Sequence, residues 1–143
     1  MSKLYEADFH SWAMSQADAA KRRSANELDW DHVAEELEAL GASEERELHS
    51  RYVILLQHLL KWLYQPAGRT RSWRATIGEQ RRALARHLKR NPGLKSLEAE
   101  EFTAAYIDAR GRASAETDLD EATFPETSPF TMDDAKNLDW LPD

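Results

Sequence analysis

The sequence predicts an all-α protein: a single-domain helical bundle of about five helices over residues 1–143, with an extended C-terminal tail over residues 118–143. Apolar residues recur at helical spacing in several segments. Only five Gly and five Pro occur, which is too few for the many turns of a β-sandwich or barrel. A composition of 41% hydrophobic and 31% charged residues is typical of a helical protein in water.

The first two predicted helices lie before Gly41. Residues 5–23 form the first, because apolar side chains recur there every three or four positions. Asp29 is a suitable N-cap for the second helix, and Gly41 would end it at the C′ position. One face of this second helix carries four apolar residues: Trp30, Val33, Leu37 and Leu40.

The third predicted helix is the most apolar. Ser43 would cap it, and it would run to about Tyr64 because Pro66 disfavours helix at the preceding residue. Its apolar residues cover more than half of the circumference, whereas a surface helix needs a stripe of only about 100°. We therefore expect this helix either at the centre of the bundle or partly against another subunit.

The last two predicted helices span residues 72–90, with Ser72 as N-cap, and residues 95–117. From Asp118 the chain reads as an extended tail, which we expect to pack on the surface of the bundle. Within it, the capping box Thr131-x-x-Asp134 predicts one short turn of helix.

The fourth predicted helix and its approach are strongly basic: eight basic residues from Arg69 to Arg90 face one acid, Glu79. One interpretation is a solvated face partly neutralised by the acidic C-terminal third. The other is a surface that binds an anion or a partner. A net charge of −7 disfavours nucleic acid as that partner. The candidate surface comprises His58, Trp73, Arg74, Arg82, Arg86 and Lys89.

Arg81 differs from its basic neighbours because a helical projection places it among apolar residues. A buried guanidinium needs a compensating partner, since an unpaired buried charge is strongly destabilising. Glu36 flanks the apolar face of the second predicted helix. We therefore predict a structural ion pair between Arg81 and Glu36.

The sequence carries no recognisable catalytic, cofactor-binding or metal-ligating motif, so none of these roles is assigned to any residue and no cofactor is expected. Cysteine is absent, and neither a nucleophile elbow nor a phosphate loop occurs. The Glu-x-x-His pattern of di-iron bundles is also missing. His58 is more readily interpreted as a packed, hydrogen-bonded histidine than as a general base.

No segment is typical of a membrane protein. Charge at the N-terminus argues against a signal peptide, and the apolar run at residues 52–64 is too short to span a bilayer. We expect a cytoplasmic protein with no membrane contact.

The order of several short segments resembles the bacterial Domain of Unknown Function 29 family over nearly the whole chain. These segments include Tyr5-Glu6-Ala7-Asp8-Phe9-x-x-Trp12, Leu28-Asp29-Trp30, Glu35-Glu36-Leu37-Glu38-x-Leu40-Gly41, His58-Leu59-Leu60-Lys61-Trp62, Gln65-Pro66, Ser72-Trp73-x-x-x-Ile77 and Gln80-Arg81. The resemblance implies an all-helical domain and no assigned activity.

These observations favour a non-catalytic helical module that binds a protein or assembles with itself, as a homodimer through the third or fourth predicted helix. The alternative is an anion- or nucleic-acid-binding protein, or an enzyme, that uses residues 72–90 and His58.

Overall fold

The computed structural model describes residues 2–143, which form six α-helices joined by loops and short 3₁₀ turns, with no β-strand in that range. The all-α prediction is confirmed. The helices are α1 (Ser2–Ala7), α2 (Phe9–Lys21), α3 (Trp30–Tyr64), α4 (Arg71–Arg90), α5 (Glu98–Thr117) and α6 (Met132–Lys136). None of the helices so described is both long and apolar enough to cross a membrane.

The chain divides into two compact units, the first ending at Ser43 and the second spanning Glu44–Asp143. α3 is continuous through the boundary. The prediction of one domain over residues 1–143 stays a prediction, and the two units are described separately below.

The first predicted helix is two helices, because Asp8 interrupts it. The Asp8 carboxylate accepts a hydrogen bond from the Ser11 backbone N–H and caps α2. α2 then ends in a left-handed residue, Arg23, with φ at 59°. The Arg23 and Ser24 N–H groups donate back to the carbonyls of Ala20 and Ala19, respectively, which satisfies the end of the helix.

The predicted stop at Gly41 and the predicted cap at Ser43 are wrong, because α3 passes through both as one 35-residue helix. A C′ stop requires a positive φ, and none of the glycines described has one. An interior glycine costs about 1 kcal/mol relative to alanine. Breaking the helix would give up several main-chain hydrogen bonds, so the continuous helix is favoured.

The core of the second unit lies where residues 44–64 of α3 meet α4 and α5. The apolar arc predicted for the third helix is buried here by the chain itself. The largest fully buried side chains are Leu48, Tyr52, Leu55, Leu56, Leu59, Leu60, Ile77, Leu84, Tyr106 and Phe124. This segment is therefore central within its unit, as expected.

The C-terminal tail packs on this core, which confirms that part of the prediction. Phe124, Phe130 and Ala135 are buried in it. The tail is not extended throughout, since it contains a 3₁₀ turn and α6. The Thr131 hydroxyl accepts a hydrogen bond from the Asp134 N–H at the start of α6, so the predicted cap is confirmed.

The starts of α4 and α5 differ slightly from the predictions. Thr70, not Ser72, caps α4, because its hydroxyl accepts a hydrogen bond from the Trp73 N–H. α5 begins three residues later than predicted, after a 3₁₀ segment over Pro92–Leu97. It ends at the left-handed residue Asp118.

Candidate functional sites

Arg81 lies on α4 with only 4% of its surface exposed, which confirms that it is buried. Its Nε donates to the Ala135 carbonyl at 2.8 Å and its Nη2 to the Asp134 carbonyl at 3.4 Å. Glu36 instead accepts a hydrogen bond from the Tyr5 hydroxyl. The predicted Arg81–Glu36 ion pair is therefore wrong, because main-chain oxygens of the tail take the place of the carboxylate.

The positive charge of Arg81 is left without a carboxylate partner among residues 2–143. Burial lowers the pKa of Arg81 below its usual value. A guanidinium nevertheless remains protonated in proteins. Arg81 is therefore a buried cation that is held by backbone carbonyls and has no carboxylate partner in the described chain.

A cavity of about 510 Å³ opens beside Arg81, between α4 and the C-terminal segment. We call it the arginine cavity; its lining is Arg74, Ile77, Gly78, Arg81, Arg82, Leu138, Asp139 and Leu141. Three guanidiniums face one carboxylate there, which leaves an excess of two positive charges. The rest of the lining is mostly apolar.

Arg74 and Arg82 are the two members of the predicted anion surface that the structure brings together. Both are exposed on α4, and within residues 2–143 neither forms an ion pair. A Cβ atom added to Gly78 would lie 3.2 Å from Arg82 Nη1, so the Arg82 guanidinium rests against the helix at this glycine. The C-terminal tail thus adds a second wall to a basic surface predicted from α4 alone.

His58 and Trp73 lie around a different buried cation, Lys61. The Lys61 Nζ is 4.6 Å from the centre of the Trp73 ring and donates to Glu116 at 2.7 Å, which lowers the pKa of the Glu116 carboxyl. The His58 Nδ1 is 2.8 Å from the Ile54 carbonyl, so Nδ1 carries the hydrogen. Burial lowers the pKa of His58. His58 is thus a packed side chain that is hydrogen-bonded to its own helix.

The remaining two members of the predicted surface, Arg86 and Lys89, are separate from the arginine cavity. Arg86 borders a smaller cavity of about 180 Å³ that is also lined by Glu47, Arg51, Ala83, His87 and Arg90. Lys89 is exposed and lines neither cavity. The six predicted residues therefore do not form one site.

His49 bridges two acids of α5. Its Nδ1 lies 3.1 Å from Glu101 and its Nε2 lies 2.8 Å from Asp108. Within the described part of the chain, no group of three or more His, Asp or Glu side chains is arranged to hold a metal ion.

In the first unit, aromatic side chains of α1 and α2 hold the start of α3. Tyr5 stacks on the His32 ring at 3.9 Å, and Trp12 Nε1 donates to Asp29 at 3.3 Å. The hydrogen bond to Glu36 raises the pKa of Tyr5 to about 12. The Asp29 carboxylate, 2.7 Å from the His32 ring, raises the pKa of His32.

The adjacent face of α3 is apolar and largely uncovered. We call it the apolar seam, formed by Trp30, Val33, Leu37 and Leu40. Their spacing of three, four and three residues is that of a coiled-coil seam. Trp30 is 60% exposed, and Leu37 and Leu40 are each 62% exposed.

The charged side chains around the seam are acidic. Between Ser24 and Glu45 the chain carries eight Asp and Glu residues and no Lys or Arg. Nothing lies within 4 Å of the position that a Cβ atom on Gly41 would occupy, so the helix surface is open at this end of the seam.

These features describe a small all-helical module with a basic cavity in one unit and an exposed apolar face in the other. The chain belongs to the family described as domain of unknown function DUF29, whose model matches residues 4–141. The resemblance seen in the sequence is thereby confirmed. Neither a curated protein nor a solved structure matches the chain.

Proposed function

We propose that this protein is a non-catalytic helical module of the bacterial cytoplasm that self-associates, with the apolar seam of one copy packed on the seam of a second. The single observation that carries the proposal is the exposure of Trp30, Leu37 and Leu40 along one face of α3. Large apolar side chains that share an exposed face mark an interaction surface.

The position of this surface differs from the expected one. The apolar excess was expected on residues 43–64, but the structure buries that arc within the second unit, so it cannot support a dimer. The seam lies on the segment predicted as the second helix. The exposed apolar area therefore lies N-terminal to residues 43–64, where it was expected.

A second copy is the partner that the seam suits best. Two helices with this spacing can interlock their side chains, and a two-fold axis places the same seam on both sides of the interface. The small residues Ala34 and Gly41 border the seam and permit a close approach. Each copy also presents its acidic flanks to the other.

The acidic flanks predict how the strength of association depends on salt concentration. Like charges repel across a seam-to-seam dimer, and salt screens that repulsion over about 10 Å at 0.1 M. Association should therefore strengthen as salt rises. A complex of the acidic seam with a basic surface would instead weaken.

Sedimentation equilibrium at micromolar concentrations tests the proposal, at about 0.05 M and about 0.5 M salt. We expect the wild-type protein to dimerise, more strongly at the higher salt. The double variant Leu37→Glu, Leu40→Glu should be monomeric. The matched control is Ile107→Glu in the second unit, where Ile107 is 65% exposed, and it should dimerise as the wild type does.

Two outcomes would contradict self-association through the seam: a monomer at every concentration, or a dimer that survives the double substitution. A dimer that weakens with salt would point to a basic partner surface instead. The proposed cytoplasmic location is supported by the charged, cysteine-free sequence and is checked by fractionation of the native host.

A further inference from the structure

We propose that the arginine cavity binds a small organic phosphate ester, with the phosphate held by Arg74, Arg81 and Arg82 and the organic portion resting on Ile77, Leu138 and Leu141.

The charge of the cavity matches this ligand class. Three guanidiniums and Asp139 leave an excess of two positive charges, and a phosphate monoester carries close to two negative charges at neutral pH. Within residues 2–143, Arg74, Arg81 and Arg82 have no carboxylate partner that a ligand would need to displace. A planar guanidinium also fits phosphate oxygens in a two-point contact.

Arg81 is the positioned member of the set. Its hydrogen bonds to the Ala135 and Asp134 carbonyls use Nε and Nη2 and fix the guanidinium against the tail. Nη1 makes no hydrogen bond to any described residue, and the side chain lines the cavity. A buried, immobilised cation loses little conformational entropy when an anion binds, which favours tight binding.

The volume of the cavity and its apolar wall favour an organic phosphate ester over inorganic phosphate. The volume of about 510 Å³ lies within the range of about 300–1,000 Å³ usual for small-molecule sites. Ile77 is a buried residue of α4 that lines the cavity, while Leu138 and Leu141 come from the tail. An apolar or ring-shaped group beside the phosphate would cover them.

A long nucleic acid fits the surface less well. The other basic residues of α4 do not extend the basic surface of the cavity: Arg86 lines a separate cavity, and Lys89 lines neither cavity. The net charge of −7 also opposes association with a polyanion.

Isothermal titration calorimetry of the 143-residue protein tests the site with phenyl phosphate, inorganic phosphate and phenol. We expect phenyl phosphate to bind at least tenfold more tightly than inorganic phosphate, and phenol not to bind. Arg82→Gln and Arg74→Gln should each weaken phenyl phosphate binding about tenfold or more, because each removes a charge-assisted hydrogen bond. Both residues are exposed, so both variants should fold.

Two controls separate the site from general electrostatics. Lys89→Gln removes the same charge from the same helix outside the cavity and should bind phenyl phosphate as the wild type does. The double variant Leu37→Glu, Leu40→Glu should also bind normally, because the cavity and the apolar seam share no residue.

Absence of phenyl phosphate binding would overturn the proposal, as would an equal loss of affinity in Lys89→Gln and Arg82→Gln. Binding of inorganic phosphate as tight as that of the ester would remove the role of the apolar wall. Co-sedimentation with phosphatidic acid vesicles should be negative; a positive result lost in Arg82→Gln would reassign the site to a lipid headgroup.

Discussion

The two units of this chain bury their apolar side chains to very different extents. The second unit contains the whole 19-residue core cluster, which starts at Leu48. In the first unit, the buried side chains among residues 3–43 are Trp12, Gln16 and Ala19. Of the eight large hydrophobic residues exposed in the described chain, six lie in the first unit: Leu4, Phe9, Met14, Trp30, Leu37 and Leu40.

The same contrast in burial is found between the two parts of α3. Both of its parts are amphipathic, yet the later part is enclosed and the earlier part keeps its seam exposed. Apolar spacing therefore identifies which face of a helix has something to bury, but not whether the same chain buries it. An amphipathic face left exposed is available to a partner.

The largest expected effect comes from equal truncations in the two parts of α3. Leu59→Ala removes a fully buried side chain and should lower the free energy of unfolding by about 2–5 kcal/mol. Leu37→Ala, at a position 62% exposed, should change it by less than about 0.5 kcal/mol in the monomer. Urea denaturation at low protein concentration measures both. Equal losses would show that Leu37 is covered in solution.

Ion pairs provide a second comparison. Glu98 is buried in the second unit and accepts hydrogen bonds from the Tyr52 hydroxyl and from Lys136 Nζ at 2.7 Å. Lys136→Met should cost about 1–3 kcal/mol, because it leaves a buried carboxylate without its cation. In the first unit, Arg22 pairs with Asp18 and Glu27 in water.

The control for this prediction is Arg22→Met, which should leave the free energy of unfolding unchanged, because exposed ion pairs contribute little. The same denaturation experiment measures it. A loss equal to that of Lys136→Met would mean that the exposed pair stabilises the fold as much as the buried one.

The sequence predicted more of the second unit than of the first. The fourth helix and the Thr131 cap were located almost residue for residue, because strong local signals and a packed core agree there. Gly41 carried an equally strong signal, but it was wrong because a glycine permits a left-handed turn without requiring one.

The arginine cavity was only half predictable. α4 showed its basic residues, and the burial of Arg81 followed from helical phase. The hydrogen-bond partners of Arg81 could not be predicted. They are the backbone carbonyls of Asp134 and Ala135, and every residue has such a carbonyl whatever its side chain. The tail wall with Leu138 and Leu141 depends on how a largely irregular segment folds back, which periodicity does not report.

Left-handed residues provide a third, smaller comparison. Arg23 ends α2 in the first unit and Asp118 ends α5 in the second, both with φ at 59°. Arg23→Gly should raise the free energy of unfolding by about 0.5–1 kcal/mol, since glycine adopts this conformation without strain. Asp118→Gly should raise the free energy of unfolding by less, because Asp tolerates the left-handed region better than Arg. Thermal unfolding checks the order, and a loss at both positions would contradict it.

The smallest expected effect is a difference in pH dependence between one histidine of each unit. The Asp29 carboxylate raises the pKa of His32, so its folded value lies above the ordinary 6.5. The stability that this pair contributes is fully present below pH 6.5 and is lost as pH rises through the folded pKa. Burial lowers the pKa of His58, so the sign reverses. Its neutral form is favoured in the fold, and stability is lost as pH falls below 6.5.

Histidine ring titrations by NMR should therefore place the His32 midpoint above 6.5 and the His58 midpoint below it. In denaturation experiments, His32→Gln should destabilise more at about pH 6 than at about pH 8, and His58→Gln more at about pH 8 than at about pH 6. Parallel pH profiles for His32→Gln and His58→Gln would contradict the assignment, because opposite signs follow only if Asp29 acts on His32 and burial acts on His58.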